Sequence, residues 1–315
     1  MATEKVLITG AAGYIGSRLA ARLAKHMPVI GVDIREPESP TDNFEVCDIR
    51  DTRLTEIITK HAISHVVHLA SVLESSGDEA RDYDIDVNGT RNVVAACLQG
   101  GVRHLTVTSS GAAYGYHADN PSWIDEKDAL RGNPEFAYSK HKTMVENYLA
   151  EARQQHPELQ QLILRPGTVL GAETRNQITN LFDKSMLLGI SGSESPFVFI
   201  WDEDVLDIIE KGIRESKSGI YNLAGDGALS IHEIAGRLNK RVISIPAGLL
   251  KLALTIGKAL GLTRYSPQQI NFLRYRPVLS NRRLKEEFGY TPQLTSSEVF
   301  QLFVENRLKQ ERPQA

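Results

Sequence analysis

The sequence predicts an α/β protein: a doubly wound parallel sheet followed by a smaller C-terminal α/β lobe. Three observations carry that prediction. Apolar runs alternate with helical patterns through the first half of the chain. A glycine turn, Gly10-Ala11-Ala12-Gly13-Tyr14-Ile15-Gly16, follows the first run, Val6-Leu7-Ile8. A second run, Val29-Ile30-Gly31-Val32, ends on Asp33. Such alternation argues for parallel strands joined by helical crossovers, and 315 residues that are 41% hydrophobic can bury a substantial core.

Composition narrows the function. A formal net charge of −3, without a dense basic run or an RNA-binding motif, excludes nucleic acid as an expected partner. Cys47 and Cys97 form no C-x-x-C pair, so neither a disulfide framework nor a zinc site is implied and a reducing cytoplasm fits. Met1 to Lys5 leads straight into the first strand, which gives the expectation of no signal peptide. The most lipid-like stretch, Ala247 to Leu262, is 16 residues interrupted by Lys251 and Lys258. It is too short to span a bilayer and reads first as an amphipathic helix packed on the lobe, next as a wall of the substrate pocket and last as a membrane-surface helix, with no membrane partner expected.

Strand, glycine turn and helix start occupy the first 25 residues. Gly10 allows the turn, Gly13 lets backbone approach a pyrophosphate and Gly16 lets the helix pack on the sheet, as in Rossmann-type nucleotide-binding units. The helix N-terminus then faces the anion. The spacing is G-x-x-G-x-x-G rather than G-x-G-x-x-G, and alone it would be weak. Asp33, 23 residues after Gly10, lies near the spacing of about 20 for an acid that binds ribose hydroxyls. A carboxylate there repels a 2′-phosphate, so NAD is expected over NADP, with Arg35 as the opposing feature.

The next elements are a polar loop 36–43, a strand 44–47 leading to Asp48-Ile49, a helix 52–61, a strand 66–70, a helix 87–99 and a strand 105–108. Gly10, Asp33, Asp48, Ala70 and Ser109-Ser110 then emerge together at the carboxyl ends of the strands, where ligands bind in such sheets. A helix 136–155 follows, then a strand 162–164 broken at Arg165-Pro166-Gly167, and a helix 176–188. The remaining pattern gives strands at 197–200, 220–223 and 242–245 and helices at 203–215, 231–238, 247–262 and 297–309. Residues 1–170 are read as the nucleotide-binding domain, with about 197–225 returning to it, and 171–315 mainly as a substrate-binding lobe.

The helix 136–155 carries Tyr138 and Lys142, one turn apart on one face. A phenol with a pKa near 10 is a poor base at neutral pH, but a neighbouring ammonium stabilises the phenolate. Tyr138 is therefore the candidate acid/base, and Lys142 its partner and a holder of the nicotinamide ribose. Ser110, 28 residues earlier, is the candidate for holding the substrate oxygen. By contrast His61, His65 and His68 run from a helix end through a loop to a strand and lack the geometry of a metal cluster. Trp123 and Trp201 read as core.

The stretches T-G-A-A-G-Y-I-G (9–16), C-D-I-R-D (47–51), H-L-A-S (68–71), D-V-N-G-T (86–90), S-S-G-A-A-Y-G (109–115), Y-S-K-H-K (138–142) and R-P-G-T-V-L-G (165–171) together resemble the extended short-chain dehydrogenase/reductase family, the NAD-dependent epimerase/dehydratase group. The resemblance implies that Gly10, Gly13, Tyr14, Ile15 and Gly16 line the pyrophosphate, Asp33 the adenosine ribose, and Asp48 and Ile49 the adenine. It places Leu69 and Ala70 along the cofactor, gives Ser110, Tyr138 and Lys142 to catalysis, and gives Asn88 a supporting role. Thr168 stands where members acting on nucleotide sugars commonly have Asn, which leans toward a less polar substrate. The expected function is NAD-dependent oxidoreduction of a secondary alcohol or ketone. A nucleotide-sugar epimerase or dehydratase that regenerates NAD and a non-catalytic NAD-sensing protein are the alternatives. A homodimer is expected.

Overall fold

The computed structural model describes residues 4–37, 43–73, 76–263 and 267–311. Most of the expected loop 36–43 thus lies outside the described residues. In chain order the strands are β1 (Val6–Thr9), β2 (Val29–Asp33), β3 (Phe44–Val46), β4 (His65–His68), β5 (His104–Thr108), β6 (Gln160–Pro166), β7 (Thr168–Leu170), β8 (Met186–Ile190), β9 (Phe199–Trp201), β10 (Gly219–Leu223) and β11 (Arg241–Ile245). The helices are α1 (Tyr14–Leu23), α2 (Arg53–His61), α3 (Glu79–Tyr83), α4 (Gly89–Gln99), α5 (Ala137–Gln155), α6 (Gln177–Phe182), α7 (Asp202–Arg214), α8 (Ile231–Arg237), α9 (Ala247–Ala259), α10 (Ile270–Arg274) and α11 (Ser296–Glu311).

Seven strands form one sheet in the order β10-β6-β5-β4-β1-β2-β3. Its pairings from β3 to β6 are parallel, with Thr9 opposite both Val32 and His68 and Thr108 opposite Leu164. This is the Rossmann-like doubly wound sheet predicted. Order reverses beside β1, so the crevice for a ligand opens where β1 and β4 end.

The chain divides into two compact units. The first takes the described residues of Met1–Ser110 with His141–Arg165 and Glu203–Tyr221; the second takes Gly111–Lys140, Pro166–Asp202 and the described residues from Asn222 on. Apolar strand residues such as Leu7, Val66 and Leu105 meet Leu54, Val93 and Leu149 from the helices in the first unit's core. The second has its own core, in which Phe182, Phe197, Phe199, Phe300 and Phe303 are buried together.

Several sequence expectations are corrected. The predicted helix 176–188 ends at Phe182, and Met186–Ile190 is a strand paired in parallel with β11. The reason is a change of period, since Leu187 is buried between exposed Met186 and Leu188, which is strand alternation. Three further elements, α3, β7 and α10, escaped prediction because each is too short to show a period. The helix expected from 87 begins at Gly89, after a π-helical turn over Asp84–Asn88. Trp123 is exposed rather than core. The stretch 247–262 is helical through Ala259 and packs against the turn Pro267–Gln269 and α10, yet none of its helical residues is fully buried.

Candidate active site

The glycine turn begins where β1 ends. Gly10 has φ of +73°, a left-handed conformation that favours glycine, and a Cβ there would crowd the Ala70 backbone nitrogen at 2.8 Å. At Gly16 a Cβ would overlap the Gly10 carbonyl oxygen, so this glycine lets α1 press against its own turn. Gly13 differs: a Cβ there would meet only the Gly10 carbonyl, at 3.1 Å. It opens α1 without a side-chain cap, and the first turn holds no acid. Gly13, Tyr14 and Ile15 are half-exposed. The start of α1 is therefore open and electropositive, and it fits a pyrophosphate.

At the end of β2, Asp33 is buried and oriented by two backbone donors. Ala12 N–H donates to Oδ2 at 3.1 Å and Arg35 N–H to Oδ1 at 3.1 Å. The Arg35 side chain leans on the same carboxylate, Nε to Oδ1 at 3.7 Å. Asp48 is half-buried after β3 and held by Arg50, whose Nε and Nη2 reach its two oxygens at 3.0 and 2.7 Å. That pairing keeps its carboxyl below the ordinary range. Ile49 is buried, and Leu69 and Ala70 lie half-exposed beyond β4. Of the cofactor residues read from the sequence, those of the turn and the strand ends, with Lys142, belong to one unit and Tyr138 to the other; the strand-end acids and the open turn fit NAD.

In the same unit lies a small cavity lined by His68, Ala70, Ser71, Asp86, Thr90, Thr108 and Lys142, among others. The buried Lys142 ammonium donates to Ser71 Oγ at 3.0 Å, and Ser71 donates to Asp86 Oδ1 at 2.9 Å. Asp86 also accepts from Val72 N–H at 2.9 Å, and its other oxygen lies 3.7 Å from His141 Nδ1. His68 bridges Thr9 and Thr90 through its two ring nitrogens, at 2.7 and 3.1 Å. Burial, with the Lys142 charge adding to it, lowers its pKa to about 3, so the imidazole is neutral.

Tyr138 lies one turn before Lys142 on α5 and is half-buried. Its own unit sets it beside Phe136, with Tyr116 and Phe272 completing the aromatic group. Of the two serines after β5, Ser109 is committed to the core, donating to Glu146 at 2.6 Å, whereas Ser110 is half-buried. Arg165 forks onto Glu146 with Nε at 2.9 Å and Nη2 at 2.6 Å, so it braces the sheet.

Sequence reading missed three groups here. Asp86 sits inside the quoted D-V-N-G-T stretch, but attention went to Asn88, whose amide instead donates to Asp84 at 2.8 Å. Ser71 closes the H-L-A-S stretch and received no role. Arg276 was passed over entirely. Its guanidinium stacks over Phe197 at 3.9 Å and Phe272 at 5.3 Å, and Nη1 donates to the Ser195 carbonyl at 3.2 Å. Its buried Nε has no hydrogen-bond partner among the described residues. Among those residues, too, no group of three or more His, Cys, Asp or Glu side chains is placed to hold a metal.

Known proteins bear on this geometry. A lipid-linked sugar epimerase of Escherichia coli O157:H7, N-acetyl-alpha-D-glucosaminyl-diphospho-ditrans,octacis-undecaprenol 4-epimerase, is 25% identical over 263 residues, covering 78% of this chain and 77% of that one. The decarboxylating sterol-4-alpha-carboxylate 3-dehydrogenase of Saccharomyces cerevisiae is 24% identical over 336 residues, covering 92% and 94%. The crystal structure of Thermus thermophilus UDP-glucose 4-epimerase, solved as a complex with NAD, superposes with a TM-score of 0.72 at 23% identity, covering 96% of this chain and 98% of that one. The sequence profile of the NAD dependent epimerase/dehydratase family matches residues 6–223. That span is well over half the chain, and it runs from β1 through α5 to β10. This chain therefore belongs to the NAD dependent epimerase/dehydratase family, enzymes of the extended short-chain dehydrogenase/reductase type.

Proposed function

We propose that the protein moves a hydride between bound NAD and a secondary alcohol or ketone carbon of a small substrate, with net dehydrogenation or reduction as the leading reading. The observation that carries it is the buried Lys142 ammonium, fixed by Ser71 one helical turn after the half-buried phenol of Tyr138. A cation there favours the phenolate, which takes the proton of the substrate hydroxyl in one direction and returns it in the other. Lys142 also serves the nicotinamide ribose, and Ser110 donates to the substrate oxygen. Asp33 accepts from the adenosine ribose hydroxyls, and the open start of α1 binds the pyrophosphate. We assign the reaction to the cytoplasm, with Cys47 and Cys97 as buried free thiols, and to a homodimer in which α4 and α5 pair with their copies. A monomeric mass by light scattering at micromolar concentration would remove the dimer.

One observation favours a second reading, a nucleotide-sugar 4-epimerase that retains its NAD. A guanidinium stacked between two phenyl rings with one donor unused suits an anionic group on the substrate, and Arg276 is such a group. The 4-epimerase relatives point the same way. Desalting the purified protein separates the two. Nucleotide lost on desalting, with stoichiometric NADH formed on turnover, supports net oxidoreduction. Nucleotide retained, with no net NADH, supports the epimerase.

A further inference from the structure

Between Glu233 and Glu286 the chain carries eleven lysines and arginines and no aspartate or glutamate, although the whole protein has a net charge of −3. This run is not dense, and Arg282, Arg283 and Lys285 pair with Asp125, Glu287 and Asp226, but Arg241, Lys251 and Lys258, on α9 and the strand before it, have no ion-pair partner among the described residues. It contains α9, none of whose residues is buried. On one side, Leu250, Leu254 and Gly257 are half-buried, and the helix contacts the turn Pro267–Gln269 and α10. On another, Leu249, Leu252, Ile256 and Leu260 recur every three or four residues and are 61, 57, 51 and 65% exposed. Lys251 and Lys258, seven apart, share the polar side. The strand leading into the helix adds exposed Ile243, paired with exposed Leu188 beside Met186.

A contiguous apolar stripe of this kind in water marks an interaction site. We infer that α9 docks on an anionic lipid surface, its leucine stripe entering the acyl boundary and its lysines remaining at the headgroups. The charge selects this occupant. A helix with an apolar stripe and lysines on another face, preceded by Arg241 and carrying no acid of its own, is an interfacial helix, whereas a second copy of this chain would bring two such acid-free, lysine-bearing helices together. This inference departs from the sequence expectation of no membrane partner. No helix among the described residues is long and apolar enough to cross a membrane, so the contact is peripheral.

Flotation of the full chain with phosphatidylcholine vesicles, with and without phosphatidylglycerol, tests the inference. Wild-type protein should float with the anionic vesicles and release as salt rises, because surface charges are screened over about 8 Å at physiological ionic strength. Leu252→Glu and Ile256→Glu should each weaken binding by about ten- to a hundredfold, and Lys251→Gln or Lys258→Gln by about fivefold. Unchanged NAD affinity and melting temperature would show that these exposed substitutions leave the fold intact. Wild-type protein that stays unbound overturns the inference, as does binding indifferent to Leu252 and Ile256. Self-association abolished by the same two substitutions would assign the stripe to a second copy instead, and overturn it equally.

Discussion

Buried charge is handled in opposite ways at Arg165 in the first unit and at Arg276 in the second. In the first, Glu146 and Arg165 share two short hydrogen bonds, Lys142 reaches Asp86 through Ser71, and Asp33 is fixed by the Ala12 and Arg35 amides. In the second, the Nε atoms of Arg274 and Arg276 are buried without a partner among the described residues. Leaving a buried charged donor unmade costs free energy. The first unit's charges are therefore part of the scaffold that holds a cofactor, and Arg276 is kept at a cost that a ligand can offset.

The largest effect tests the chemistry common to both readings. Tyr138→Phe keeps the aromatic contacts with Phe136 and removes the proton-transferring oxygen. Turnover should fall about 10²–10⁴-fold, with NAD affinity measured by titration nearly unchanged. Wild-type turnover in this variant would leave a nucleotide-binding fold without the proposed catalytic phenol.

The next pair of substitutions sets one unit against the other. Glu146→Ala strands the Arg165 guanidinium and frees Ser109, and breaking a buried pair in this way costs about 3–5 kcal/mol. Denaturant titration should show that loss, with the remaining folded protein still binding NAD. Arg276→Met should behave in reverse. Burial already lowers the Arg276 pKa to about 10, so methionine relieves a desolvated charge and stability should hold or rise. If the guanidinium holds an anionic substrate group, KM should rise about ten- to a hundredfold, the worth of a charged hydrogen bond. A large stability loss in Arg276→Met would erase the contrast between the units.

The sequence made the first unit legible because its motifs are backbone requirements. Gly10 must adopt positive φ, Gly16 must touch its own turn, and Asp33 must end β2; each follows from local geometry that residue type and spacing reveal. Roles assigned by side-chain direction were harder to read. Asn88 and Asp86 are two residues apart in one motif, but the π-helical turn over Asp84–Asn88 sends Asp86 to Ser71 and Asn88 to Asp84. No period in the sequence announces a π turn. In the second unit, β8 hid inside a helical pattern because its pairing with β11 spans more than fifty residues. The role of Arg276 depends on stacking against Phe197, also distant in sequence. The absence of acids from 234 to 285 was the one sequence signal that would have drawn attention to both Arg276 and α9.

The smallest effect concerns pH and again separates the units. His68, His65 and His104 all lie buried in the first unit, and burial lowers the pKa of each, that of His68 to about 3. An unfolded histidine titrates near 6.5. The native state therefore favours neutral imidazole, and this contribution to stability is complete above pH 6.5. As pH falls from 6.5 toward 3, the unfolded chain binds a proton at position 68 that the folded chain refuses. Stability should then decline by up to about 1.4 kcal/mol per pH unit for this one site. Denaturant midpoints at neutral pH and near pH 5 measure the slope. His68→Gln, which cannot titrate and can still bond Thr9 or Thr90, should be less stable at neutral pH but lose less on acidification, by about one proton's worth. A slope identical to that of the wild type would mean that His68 is protonated in the folded protein, with both ring N–H groups donating to the Thr9 and Thr90 hydroxyl oxygens.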